Sequence, residues 1–238
     1  MLCVDGIAEV REGTMYGRTL ITSVFWMIGV AALIAAAVGA APAPPAQTQI
    51  LDNQDVGKAE TAAGDLVADA FRSAAHTDVA FVSAGDLKSL SSPITPGGIK
   101  ATDVIALLMY PGDTVVTMAL DGGMIGQALE TSVAGYSQPR LSFLQVSGVK
   151  FTFDPARPAG HRVTGATIGG ASIVKEKSYT VAMLNSMAGG ALGYWKVWSK
   201  RNIVAGTTPV TSAAAVESYL KTNTKPDLTA QGRIKASK

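Results

Sequence analysis

"FLQVSGVKFTFDPARPAGHRV", residues Phe143 to Val163, decides how this chain folds. In "VKFTFD" apolar and polar residues alternate, the period of a half-buried strand, and "FLQVSG" before it reads as another. "DPARPAG" closes a hairpin, because its two prolines fix φ and Gly160 permits the return. Asp154 and Arg162 are expected to face each other across that hairpin, a pairing worth at most about 1 kcal/mol at an exposed site. Ser147 is expected in the strand-to-strand turn, its hydroxyl bonded to local backbone.

Downstream, "RVTGATIGG", "SIV" and "YTVAML" add further β pieces separated by turns. Upstream the pattern is helical. From Val56 to Ala75, apolar residues at Ala59, Ala62, Leu66, Ala70, Phe71 and Ala74 recur at helical spacing. "DVAFVSAG" reads as a short buried strand ending at a glycine. Asp103 to Met109 reads as a short helix with Thr102 as its cap. "DTVVTMALDG" is a strand, and Gly123 to Val133 an amphipathic helix turning Met124, Ile125, Ala128 and Leu129 inward. "TSAAAVESYLKTN" is a last helix with Ala214, Val216, Tyr219 and Leu220 inward. Helices early and antiparallel strands late predict an α+β domain, a mixed or antiparallel sheet with packed helices. There is no internal repeat.

The chain has 238 residues and a formal net charge of +2, with Lys and Arg scattered. No basic tract or basic–aromatic interleaving points to nucleic acid, and that class is set aside. Arg18 precedes the uncharged run "LITSVFWMIGVAALIAAAVGA", which ends in small residues, the pattern of a secretory signal peptide over residues 1–40. Met15 fits that signal better than Met1 as a start. The alternative is an uncleaved membrane anchor, since Leu20 to Ala41 is long enough to cross a bilayer. Either way the remainder is expected to be exported, to a periplasm or outside the cell. Residues 41–53 read as a Pro/Ala-rich linker and 54–235 as one domain. Cys3, the single cysteine, lies upstream of the signal, so a mature chain holds no thiol.

Little in the sequence suggests self-contained catalysis. The two histidines, His76 and His161, belong to no metal-ligand motif, and no metal or other cofactor is expected. There is no GxSxG elbow, and Ser147, His161 and Asp154 share only proximity in sequence. Asp65 and Asp69 lie four apart on a helix, a repulsive spacing. Bracing by Arg72 or by backbone N–H groups explains them better than acid–base work. "AGGALGYW" (Ala188 to Trp195) lacks the lysine and hydroxyl of a phosphate loop, so its glycines read as chain reversal. Tyr194 and Trp198 share a face, a core stripe.

Taken together, "ETAAGDLVADAFRSA", "VSAGDLKS", "YPGDTVVTMALDGGMIGQALE", "FLQVSGVKFTFDPARPAGHRV" and "YTVAMLNSMAGGALGY" resemble, in that order, the carboxy-terminal domain of the 5'-nucleotidase and UDP-sugar hydrolase family. The resemblance spans Val56 to Ile234. It implies a substrate-recognition domain that works beside a metallophosphatase domain holding two metal ions. Nothing ahead of Gln54 resembles that partner, so the chain is expected not to hydrolyse phosphate esters by itself.

The resemblance also nominates ligand positions. The family's Asn-Gly-Gly-Gly-Ile-Arg run corresponds to Ser83 through Lys88, with Ser83 and Lys88 at the substrate-reaching ends; lysine lacks arginine's bidentate fork. Tyr110 stands one place from the first aromatic wall of the base slot. The second wall belongs to an Asn-Phe-Leu-Ala run, here Asn185, Ser186, Met187 and Ala188, without the ring. The ribose-gripping Asp of Gly-Gly-Asp-Gly is here Leu192, followed by Gly193 and the family's aromatic position, Tyr194. Losing a stack and a charged hydrogen bond is expected to cost on the order of 3 kcal/mol of nucleoside affinity. The reading is therefore a non-catalytic module with an altered or lost site for a nucleotide, nucleoside or other small molecule. Its alternatives are the recognition half of an enzyme whose metallophosphatase is a separate chain, and a structural envelope protein.

Overall fold

A computed structural model describes residues 50–93 and 98–237. The expected signal segment, and the linker as far as Gln49, lie outside the described residues. The fold begins earlier than the expected boundary at Gln54. Ile50–Leu51 (β1) pairs antiparallel with Ser92–Pro93 (β3), and Leu51 and Asn53 are fully buried.

Helix α1 is Ala62–Ala75, shorter at its start than the apolar spacing predicts. Thr61, in extended backbone, caps it by accepting from the Gly64 N–H at 3.0 Å, and the residues before it turn instead. The helix stops at His76, which takes the left-handed conformation. Val79–Ser83 (β2) follows, buried at every position. Next come Ala101–Ile105 (α2), Thr114–Asp121 (β4) and Gly122–Val133 (α3). Thr102 lies inside α2 rather than capping it. Lys100 is the cap residue, and its N–H donates to the Asp103 carboxylate at 2.9 Å.

Leu144–Ser147 (β5), Val149–Phe153 (β6), Val163–Ile168 (β7), Ala171–Ser172 (β8) and Ser178–Leu184 (β9) bear out the β-rich second half. Asn185–Ala188 (α4), Val210–Thr211 (β10), Ser212–Thr222 (α5) and Ile234–Ala236 (β11) complete the chain. On α5 the inward alanine is Ala215, and Ala214 is exposed. The helix starts at Ser212, so Ser212, Ala215, Val216 and Tyr219 fall on one face at three- and four-residue steps.

Two sheets result. One runs β10-β4-β9-β2-β5, with β2 and β9 parallel and its other pairs antiparallel. The other runs β11-β6-β7-β8, with β11 parallel to β6. This is the α+β arrangement of mixed sheets with packed helices. The chain crosses from the first sheet to the second through Gly148 alone, at φ +76, where a Cβ would collide with the Asp78 carbonyl. Ser147 is thus the last residue of β5, not part of a turn.

The β6–β7 hairpin closes as expected in its backbone, with the Asp154 N–H donating to the Arg162 carbonyl at 2.8 Å. Its side chains do not pair. Asp154 sits 3.4 Å from Arg157, and Arg162 donates to the Val133 and Tyr136 carbonyls at 2.7 and 3.0 Å. The carbonyl-rich end of α3 attracts the guanidinium more than one exposed carboxylate does. Arg162 therefore fastens the hairpin to α3.

Candidate functional site

β2 and β9 run parallel and end together, while antiparallel β4 and β5 begin beside those ends. This topology gathers the six positions nominated from the sequence at one end of the five-stranded sheet. Ser83 ends β2, Asn185 and Ser186 open α4 after β9, and Tyr110 lies just before β4. Lys88 follows a short turn after β2. Tyr194 donates its hydroxyl to the Ser142 carbonyl, two residues before β5, at 2.7 Å.

Their surroundings differ. Tyr110 is 54% exposed. Its carbonyl accepts from the Asp113 N–H at 3.1 Å, and Asp113 in turn accepts from the Ser186 N–H at 3.3 Å. Tyr110, Asp113 and the exposed Ser186 therefore form one open edge, with the half-buried Asn185 next to it. Lys88 is turned aside. Its ammonium donates to the Ala106 carbonyl at 2.9 Å, and the residue lines a separate cleft of about 380 Å³ with Met109, Arg140 and Leu141.

Ser83 is fully buried and bonded to Asp86, which accepts from the Ser83 N–H at 2.9 Å and from its hydroxyl at 2.7 Å. Burial pushes the Asp86 carboxyl up to about 6; the Ser83 hydrogen bonds oppose this, and nearby Asp113 adds to it. Asp86 was not singled out from the sequence, although Ser83 and Asp86 stand at the Ser-x-x-acid spacing of a capping box.

Tyr194 is wholly buried. It stacks on Trp198 at 4.7 Å between centroids and 8° between planes, and Trp198 stacks in turn on Phe81 at 6.3 Å. Burial, then the Asp86 charge, raises the Tyr194 hydroxyl well above its ordinary value, so it stays neutral. The aromatic stripe belongs to the core. Gly190, at φ 90, lets the Trp195 backbone approach closer than any Cβ allows, which is the reversal expected of this turn. Leu192 is left-handed at φ 59, a conformation that asparagine and aspartate adopt far more readily than leucine. Its side chain packs over Gly85 beside Leu141.

A different constellation occupies the far end of the sheet. Arg233 forks onto Asp69 at 2.9 and 2.8 Å, donates to the Val146 carbonyl at 2.7 Å and lies 3.6 Å from Asp65. Ser147 donates to Asp69 at 2.6 Å. The two helix acids are braced, as expected, but Arg233 provides the bracing. Arg72 instead donates to the Asp78 carbonyl. Arg233 lies more than 160 residues away in sequence, so helical spacing could not reveal it. Ser147 is committed to Asp69, while His161 is exposed in the hairpin loop, so the two do not form a triad with Asp154.

The described residues contain no group of three or more His, Cys, Asp or Glu side chains arranged to hold a metal ion. Among them, too, no helix is long and apolar enough to cross a membrane.

Residues 37–199 match the family described as 5'-nucleotidase, C-terminal domain. A 5'-nucleotidase precursor from Thermus thermophilus is similar in structure, with a TM-score of 0.66 and 30% identity, covering 79% of this chain and 38% of that one. A snake venom 5'-nucleotidase of Gloydius brevicauda is 29% identical over 128 residues, 50% of this chain and 22% of its own. A cell wall protein of Listeria monocytogenes is 26% identical over 170 residues, 67% of this chain and 21% of its own. The chain thus spans less than a quarter of the length of these two curated relatives. The family match over residues 37–199 and the structural likeness agree: this chain belongs to the 5'-nucleotidase C-terminal domain family.

Proposed function

We propose that the chain is an exported module of the nucleotide-recognition type whose grip on a nucleoside has been altered or lost, and that it does not hydrolyse phosphate esters by itself. The observation that carries this is the glycine turn. It has a left-handed backbone at Leu192, and it offers a leucine where the resemblance implies a ribose-gripping carboxylate. The neighbouring Tyr194 is spent on the Trp198 stack, and Ser83 is closed off by Asp86. Tyr110 and Ser186 remain open, but only one of them carries a ring. Export is supported by the apolar run of residues 20–40 and by relatives named as venom and cell wall proteins.

Isothermal titration with AMP, adenosine and UDP-glucose tests this reading. No heat of binding is expected below millimolar ligand, and micromolar binding of any of the three overturns it. The double variant Ser186→Phe with Leu192→Asp supplies the second ring and the carboxylate. It is expected to gain adenosine binding by about a hundredfold.

A second reading is favoured by the exposed apolar side chains at the same sheet end: Met109, Tyr110, Leu141, Leu192 and Trp195. Such a rim suits a protein partner, and a separate metallophosphatase chain is the partner this family implies. Adding such a chain without any gain in nucleotide turnover removes this reading.

A further inference from the structure

Two buried carboxylate oxygens, Glu60 Oε1 and Asp65 Oδ1, have no hydrogen-bond partner among the described residues when both groups are ionised. Their sister oxygens are engaged. Glu60 Oε2 accepts from the Ile234 N–H at 2.9 Å, and Asp65 Oδ2 accepts from the Gln231 N–H at 3.1 Å. Both carboxyl groups are thus drawn to the same short segment, three residues apart along it. Two carboxylates cannot donate to one another, and like charges buried side by side repel. One proton placed between the orphan oxygens satisfies both.

We propose that Glu60 and Asp65 share a single proton, and that this proton latches the carboxy-terminal segment, residues 231–236, onto α1. While the proton is held, both carboxyl groups accept the segment's N–H groups without mutual repulsion. When base removes it, the segment loosens.

The charges around the pair do not dissolve the need for the proton. Arg233 is the guanidinium against them: its Nε faces Asp65 Oδ1 at 3.6 Å, beyond hydrogen-bond distance, and its terminal nitrogens are committed to Asp69 and Gln231. Arg72, a turn further along α1, is held on the Asp78 carbonyl. Strand β5 contributes the neutral Gln145 and Ser147, and α5 contributes Tyr219, whose hydroxyl is raised by burial and by Asp69. Asp227 lies toward Arg233 from the preceding loop. Glu60, Asp65, Asp69 and Asp227 thus share one guanidinium. Burial, then the hydrogen bond with Glu60, pushes the Asp65 carboxyl up to about 8. Burial also pushes Glu60 up, but its hydrogen bonds from Asp65, Arg233, Ile234 and Gln231 outweigh it and leave Glu60 below its ordinary value. One member protonated and one ionised is the state this describes.

The latch has something to move. β11 is the edge strand of the four-stranded sheet. Gln231 and Arg233 wall a cleft of about 940 Å³ that Arg72, Lys150 and Tyr219 also line, at the sheet end opposite the family-matched positions. Releasing residues 231–236 frees that wall.

Amide hydrogen exchange on the intact chain between pH 5 and 9.5, corrected for intrinsic base catalysis, tests the proposal. Protection of Ile234, Lys235 and Ala236 is expected to fall at least tenfold more than that of β4 and β9. Asp65→Asn, whose amide donates to Glu60 at every pH, is expected to abolish the excess. Equal pH profiles for the segment and for β4 and β9, or the same profile in the variant, overturn it. If Asp65→Asn does not fold, carbon-13 carboxyl shifts of the unmodified chain decide: two carboxyl resonances titrating above pH 5.5, one of them Asp86, support the latch. Asp86 alone doing so refutes it.

Discussion

The two ends of the five-stranded sheet use their polar residues differently. At the end that holds the positions nominated from the sequence, Tyr194 stacks on Trp198, Ser83 is bonded to Asp86 and Leu192 lies over Gly85, while Tyr110 and Ser186 stay exposed. At the far end, acidic side chains gather around the buried Arg233, with the Glu60 Oε1 and Asp65 Oδ1 oxygens left without a hydrogen-bond donor, and a broad cleft opens beside them. Polar residues survive in an interior only where partners meet them. A ligand site is the exception, because it leaves groups waiting for a visitor. At the first end Ser83 and Tyr194 have partners within the protein, and at the second the polar side chains tie residues 231–236 to α1.

If that contrast is right, the far end dominates stability. Arg233→Ala leaves the buried Asp65 and the half-buried Asp69 without their cation and is expected to destabilise the fold by about 3–5 kcal/mol, read as a shifted urea midpoint. An effect below about 1 kcal/mol would place the array among solvated surface pairs.

The near end has a smaller electrostatic signature. The Asp86 carboxyl is raised in the folded chain from 3.8 to about 6, so between these values the folded state binds more protons than the unfolded one. Its contribution is full below about pH 4, falls as pH rises, and is lost above about pH 6. The loss amounts to on the order of 3 kcal/mol. Asp86→Asn is expected to flatten that part of the stability profile while leaving the Asp65 region, toward pH 8, unchanged.

The smallest effect concerns the turn. Leu192→Asn should relieve the left-handed strain and raise stability by roughly 0.5 kcal/mol, measurable as a slightly higher melting temperature. A loss of stability would mean that the leucine's packing over Gly85 outweighs its backbone strain.

Much of the fold was legible in the sequence because its signals are local. The alternation of Val149 to Phe153 and the prolines at 155 and 158 marked the hairpin, and the spacing of Leu66, Ala70 and Phe71 marked α1. Errors fell where a cap decides the register: Thr61 starts α1 later than its apolar spacing suggests, and Lys100 rather than Thr102 precedes α2. The gathering of Ser83, Tyr110 and Asn185 was implied by resemblance, whereas their unequal exposure was not, since exposure depends on what distant segments lay over them. Arg233 was invisible for the same reason. No periodicity links Asp69 to a residue that arrives from the other end of the chain.

The passage between sheets at Gly148 has a stereochemical corollary. With φ at +76 and the L-side position closed by the Asp78 carbonyl, the join accepts mirror-image chirality more readily than natural chirality. A D-alanine inserted there by chemical ligation satisfies the torsion that L-alanine violates. One achiral carbon thereby sets the angle at which the hairpin layer meets the rest of the molecule.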